Sequence, residues 1–186
     1  MTWRSFLCIM YCGIPRSDGL NMKVCFIGHR TIEKTEDCIF ALKETVVALI
    51  KKGATTFLFG SMSEFDNLAW KVVAEIKEKY PYIKRVYVRS HFQKIDKSYE
   101  QYLLKFYEET YFPKKIEKAG KGSYVERNYE MIDNSSFCVF YYNKNYVPTL
   151  KPQVNNKLFK AGRKSGTKIA YEYAQRNKKI IINLYK

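Results

Sequence analysis

Four short segments of the chain carry the residue types that binding or chemistry on a phosphate-bearing ligand needs. Gly28-His29-Arg30 follows an apolar run, where a glycine lets backbone N–H groups approach a phosphate and Arg30 can fork two hydrogen bonds to it. Gly60-Ser61-Met62-Ser63-Glu64-Phe65-Asp66 follows a second apolar run and opens a helix, so its small residues and first amides suit an anion and Asp66 suits a ribose hydroxyl. Arg127-Asn128 stands ahead of another apolar run, with Arg127 as a cation for a phosphate or a developing charge. Ser165-Gly166-Thr167 offers flexible backbone, two hydroxyls and a positive helix end in one place. Each segment also has an ordinary reading. A glycine after a strand is a turn, Ser63, Asp66 or Ser165 is an N-cap, and Arg127 is an exposed helix arginine.

Their order along the chain gives them weight, because the elements between them alternate strand and helix. Val24 to Ile27 is a continuous apolar run that reads as a buried central strand. Ile39, Leu42, Val46, Leu49 and Ile50 then share one helical face, and Gly53 stops that helix. A second strand covers Thr55 to Phe59, and a helix from about Phe65 to Lys79 ends before Pro81. Ile83 to Val88 reads as a third strand. Tyr99 to Phe112 reads as a short helix stopped by Pro113, and Glu126 to Ile132 as another helix. Phe137 to Tyr142 is a fourth strand, a Pro/Asn/Lys loop spans Asn143 to Lys164, and a helix to about Asn177 leads to a last strand at Ile180 to Leu184. The expected fold is α/β: a three-layer, Rossmann-like, mostly parallel sheet with helices on both faces. Ligands of such folds bind outside the carboxyl ends of the strands, where all four segments fall.

Composition narrows the class. With 186 residues, 46% of them apolar, the chain can bury one sizeable core, and it has no stretch approaching the roughly 20 apolar residues of a membrane-spanning helix. Residues 1–21 read as a leader or disordered N-terminal extension, and 22–186 as the nucleotide-binding domain. Cys8, Cys12, Cys25, Cys38 and Cys138 are odd in number, and Cys25 and Cys138 sit inside apolar runs, so no disulfide framework is expected. Cys8 and Cys12 lack a second Cys/His pair at metal-site spacing, and neither a metal nor a cofactor is expected. These features lead us to expect a soluble, cytoplasmic protein with no membrane partner. Lys and Arg outnumber Asp and Glu by 33 to 18, a net charge of +15 that attracts phosphates or polyanions, or else solvates the surface of a lysine-rich protein. Ten of these basic residues lie between Lys151 and Lys186, against Glu172 alone.

In the order Gly28-His29-Arg30, Gly60-x5-Asp66-x2-Ala69, Arg127-Asn128-x-x-Met131 and Gly166-Thr167 leading to Ala174, the chain resembles the SLOG superfamily of Rossmann-like proteins. That superfamily includes the Lonely-guy phosphoribohydrolases, the DNA-processing protein DprA and proteins that bind nucleotide-derived signals. The resemblance implies a nucleotide-derived small molecule as ligand, bound by Gly28, His29, Arg30, Gly60, Ser61, Asp66, Arg127, Asn128, Ser165, Gly166 and Thr167, and it implies a homo-oligomer. It also exposes a departure. The glutamate that follows the Lonely-guy Gly-Thr by three residues is Ala170 here, and Arg163-Lys164-Ser165 replaces the doubled glycine. Glycosidic cleavage needs a carboxylate, so binding is favoured over hydrolysis, with Arg127 and Glu64 as catalytic candidates, and Asp66 or Glu126 as further carboxylates, for the alternative of a nucleotide N-glycosidase. A third reading is single-stranded nucleic-acid binding, from the +15 charge and sixteen tyrosines, although Tyr141, Tyr142, Tyr171 and Tyr173 are more simply core or sheet-cover residues. The aromatic segment Tyr99 to Phe112 reads as an interface, a ligand lid or plain packing.

Overall fold

A computed structural model describes residues 21–33, 35–60, 63–147 and 164–185. Six strands form one sheet: β1 (Met22–Gly28), β2 (Ala54–Phe59), β3 (Lys84–Val88), β4 (Glu109–Tyr111), β5 (Phe137–Tyr141) and β6 (Ile180–Asn183). Every strand pairing is parallel, in the order β4-β3-β2-β1-β5-β6. The central strands are apolar on both faces because both faces are covered. Val24 and Phe26 join one core cluster with Phe57, Phe59 and Val139, while Cys25 and Ile27 join a second with Leu58, Val86 and Phe140.

Helices α1 (Glu36–Lys51) and α2 (Glu64–Lys77) supply the first cluster, and α4 (Ser123–Asp133) and α5 (Gly166–Arg176) the second. The three layers expected from the alternating pattern are therefore present. Capping follows the sequence: Thr35, Ser63 and Ser165 each accept a hydrogen bond from the amide three residues on, and Gly53 leaves α1 at a φ of 101°.

One expectation needs correcting. Residues 99–112 do not form a single helix ending at Pro113. Helix α3 (Lys97–Leu104), capped by Asp96, stops early, and the chain continues into the edge strand β4, which pairs with β3 through Val86↔Glu109, Tyr87↔Thr110 and Val88↔Tyr111. A Glu-Thr-Tyr strand has no apolar run to announce it, and its order comes from the open edge of β3. The helix before β5 also starts three residues ahead of the expected Glu126. Residues 1–20, with Cys8 and Cys12, and the basic residues Lys151, Lys157, Lys160, Arg163 and Lys186 lie outside the described residues. Cys25, Cys38 and Cys138 are free, buried thiols. Among the described residues no helix is long and apolar enough to cross a membrane, and no cluster of His, Cys, Asp or Glu could hold a metal ion.

Candidate functional site

Strand order reverses between β1 and β5: the chain builds outward from β1 through β2, β3 and β4, then returns to β1's other side. The connections leaving the carboxyl ends of β1 and β5 thus diverge, which is where sheets of this kind bind their ligands, and Gly28 pairs with Tyr141 at that point. Gly28 is there for space. A Cβ on it would stand 2.5 Å from the Cβ of Phe65, so only glycine lets the start of α2 come this close to the strand end. The same junction is strapped twice, since the Glu64 N–H donates to the Arg30 carbonyl at 2.9 Å and the Ile32 N–H donates to Glu64 Oε2 at 3.1 Å. Glu64 is therefore engaged with backbone, and Arg30 is left exposed at the rim.

A second centre lies under the ends of β2 and β3. Arg127 is 4% exposed, and its Nη1 donates to the carbonyls of Gly60 at 2.8 Å and Val88 at 3.3 Å, while Nε donates to Asn128 Oδ1 at 3.0 Å. The Gly60 N–H points to Asp66 Oδ1 at 3.4 Å, and Asp66 is itself 4% exposed. A Cβ at Gly60 would fall 2.3 Å from the guanidinium carbon, so this glycine is dictated by the arginine lying across it. Burial pulls the Arg127 guanidinium below its ordinary value, and the neighbouring charges of Asp66, Tyr87 and Tyr124 work against that pull. Arg127 and Asp66 thus meet at Gly60, where they hold the strand ends in place instead of facing solvent.

His29 is buried and joins β1 to the chain leaving β5. Its Nε2 accepts from the Asn143 N–H at 2.9 Å, its ring stacks on Tyr146 at 3.8 Å, and Tyr146 reaches the Thr31 hydroxyl at 3.0 Å. Nδ1 has no hydrogen-bond partner among the described residues. Burial lowers the His29 pKa from 6.5, opposed by the Asn143 carbonyl 3.2 Å away. The sign follows directly. As pH falls from 6.5 toward the lower folded value, the unfolded chain takes up a proton that the folded ring resists, and stability is lost across that window. Denaturant titrations at about pH 7 and about pH 5 will show this loss in the wild type and less of it in His29→Gln; equal pH dependence in both would remove His29 from the account.

On the β5 side of the reversal, Ser165 Oγ caps α5 through the Lys168 N–H at 3.1 Å, and Thr167, the second residue of that helix, is buried. Gly166 is exposed, with nothing near where a Cβ would stand. Ala170 lies in the apolar cluster with Ile27 and Phe140, so the position corresponding to a Lonely-guy glutamate is core. Ser61 lies outside the described residues. A cavity of about 150 Å³ that sequence reasoning missed sits beside α1, lined by Glu33, Asp37, Cys38, Tyr141, Leu184 and Tyr185. Its residues come from three separated segments, which left no local pattern to read. It is smaller than the roughly 300 Å³ at which ligand pockets begin.

A doubly wound parallel sheet with glycine turns after its first two strands, one of them at the strand-order reversal, defines the class of protein. The model of the YspA SLOG family matches residues 28–173, and the chain belongs to that family. No curated protein matches it. Among solved structures it is similar to DNA processing protein A from Helicobacter pylori, described for its single-stranded DNA binding mode, with 17% identity over 87% of this chain and a TM-score of 0.49. The aligned region spans 64% of that longer chain.

Proposed function

We propose that the protein binds a nucleotide or nucleotide-derived small molecule, of the ADP-ribose or nucleoside-phosphate kind, in the crevice at the carboxyl ends of β1 and β5. The observation that supports this reading is the strand-order reversal itself: the Gly28–Arg30 turn leaves β1 there, and α5, whose N-terminus Ser165 caps, follows strand β5 on its other side. The exposed guanidinium of Arg30 supplies countercharge to a phosphate, and the α5 amides and the Thr167 hydroxyl supply donors. Arg127 and Asp66 act one layer below, by fixing the ends of β2 and β3. Binding without cleavage is favoured because Ala170 is apolar core and Glu64 is already bonded to the Ile32 amide.

Isothermal titration with AMP, ADP-ribose, cyclic ADP-ribose and a short single-stranded DNA, followed by chromatography of each mixture, tests this. Saturable binding of an intact mononucleotide is expected, weakened at least about tenfold in Arg30→Ala and in Thr167→Val, as loss of a charge-assisted or buried hydrogen bond implies. Release of free base would replace binding with N-glycoside cleavage. Binding of DNA alone, falling steeply with salt, would move the ligand from the crevice to the basic surface.

A further inference from the structure

Helices α1, α2, α3 and α5 are each capped by a side-chain oxygen, of Thr35, Ser63, Asp96 and Ser165 in turn. Helix α4 begins otherwise. It follows a short 3₁₀ turn, Gly120–Gly122, and its cap position is Gly122, which has no side chain to accept from the first amides. The Ser123 N–H turns back to the Gly120 carbonyl, and the amides after it form the positive end of the helix. A Cβ on Gly122 would meet nothing within 4 Å, so the approach to these donors is open. Ser123, the first residue of α4, is only 6% exposed, yet its Oγ has no hydrogen-bond partner among the described residues. Buried hydroxyls are ordinarily bonded, and this one is a donor held ready at the helix end.

The hydroxyl faces the strand ends. Ser123 lies one turn before Arg127 on the same side of α4, and Arg127 reaches the carbonyls of Gly60 and Val88, where β2 and β3 finish. The next residue, Tyr124, is tied to the chain leaving β3: its hydroxyl lies 2.6 Å from His91 Nε2, and the two rings meet edge-on at 4.5 Å. The Arg127 guanidinium carbon stands 6.0 Å from the Tyr124 ring, so the buried charge beside this turn is a cation, although one shared with Asp66. Hydroxyl, amides and cation together select an oxyanion, and the +15 charge of the chain favours its arrival. Glu126, in the first turn, is the opposing charge. We infer that the N-terminus of α4 is a second anion site, which takes a phosphoryl group on the Ser123 hydroxyl and the first-turn amides. It stands at the ends of β2 and β3, apart from the β1/β5 site proposed above, and it fits equally a free phosphate or a further phosphate of a ligand held at β1 and β5.

Amide proton–nitrogen spectra of the whole chain, titrated at constant ionic strength with inorganic phosphate and separately with ADP-ribose, provide the test. The Tyr124 and Val125 amides are expected to shift and saturate with phosphate, and sodium chloride over the same range should leave them in place. Ser123→Ala is expected to weaken this binding about tenfold, the loss of one hydrogen bond to a charged group, while its thermal midpoint stays equal or rises because the deleted hydroxyl had no partner. Gly122→Asp, which sets a carboxylate before the same amides, should abolish the shifts, and Glu126→Gln should tighten binding. Arg30→Ala separates the two sites. Phosphate shifts at α4 that survive it identify a site for free phosphate, and shifts that appear only with ADP-ribose and only when Arg30 is present identify a second subsite of one ligand. Amides of α4 that respond to neither probe, a response unchanged in both Ser123→Ala and Gly122→Asp, or a Ser123→Ala protein that loses stability but no phosphate affinity would each overturn the assignment.

Discussion

Arg127→Ala is expected to cost about 3 to 5 kcal/mol of folding stability, read as a lower denaturation midpoint with the denaturant slope unchanged. Truncation strips the buried Gly60 and Val88 carbonyls of their donor and leaves the Asp66 carboxylate without its neighbouring cation. Arg127→Lys keeps the charge but not the planar fork that reaches two carbonyls from one guanidinium, so it recovers only part of the loss. The same geometry makes Gly60 and Arg127 interdependent. Gly60→Ala alone places a methyl group on the guanidinium and should cost about 1 to 3 kcal/mol as overpacking. In an Arg127→Ala background the methyl meets open space, and the added cost falls close to zero. Strict additivity in this double-mutant cycle would mean that the arginine does not lie across the glycine.

Phe65→Ala should be comparably severe, at about 3 to 5 kcal/mol, because the ring is fully buried and the cavity it leaves lies at the junction of β1, β5 and α2. Phe65 packs on Gly28 from above and contacts Tyr141 at 5.7 Å and Phe26 at 6.5 Å. The loss would therefore be felt at the carboxyl end of β1, where ligand binding is proposed, as well as in the core. Thermal denaturation measures the first effect, and nucleotide affinity at a temperature where the variant is folded measures the second. A variant that loses stability while binding nucleotide as tightly as wild type would separate the crevice from this junction and count against the β1/β5 location.

How far the sequence announced these relations depends on their range. Four of the six strands carry their own apolar runs, β3 mixes Lys84 and Arg85 with Val86 and Val88, and the alternation of Val24 and Phe26 with Cys25 and Ile27 already implies a sheet covered on both faces. Strand β4 is different: Glu109, Thr110 and Tyr111 are extended because β3 offers them an edge, information held elsewhere in the chain. The site divides in the same way. Gly28, Gly60 and Arg127 stand out by type and position, but the carbonyls that Arg127 serves lie 67 and 39 residues away, and no local pattern shows that it turns inward. His29 was legible as part of a turn. Its burial against Asn143 and Tyr146, some 114 residues on, was not.

The position of β1 also sets a timetable. It is the first strand of the sheet and lies between β2 and β5, yet Phe137, which pairs with Val24, is synthesised more than a hundred residues later. At about 5 to 20 residues per second, one edge of the innermost strand waits some 5 to 20 seconds on the ribosome before its neighbour exists. During that interval β1, β2 and β3 can assemble against α1 and α2, but the face later covered by α4 and α5 is bare. A nascent chain of this design is most vulnerable to mispairing in mid-synthesis, and the proposed binding site, which needs both β1 and β5, is among the last features of the molecule to come into being.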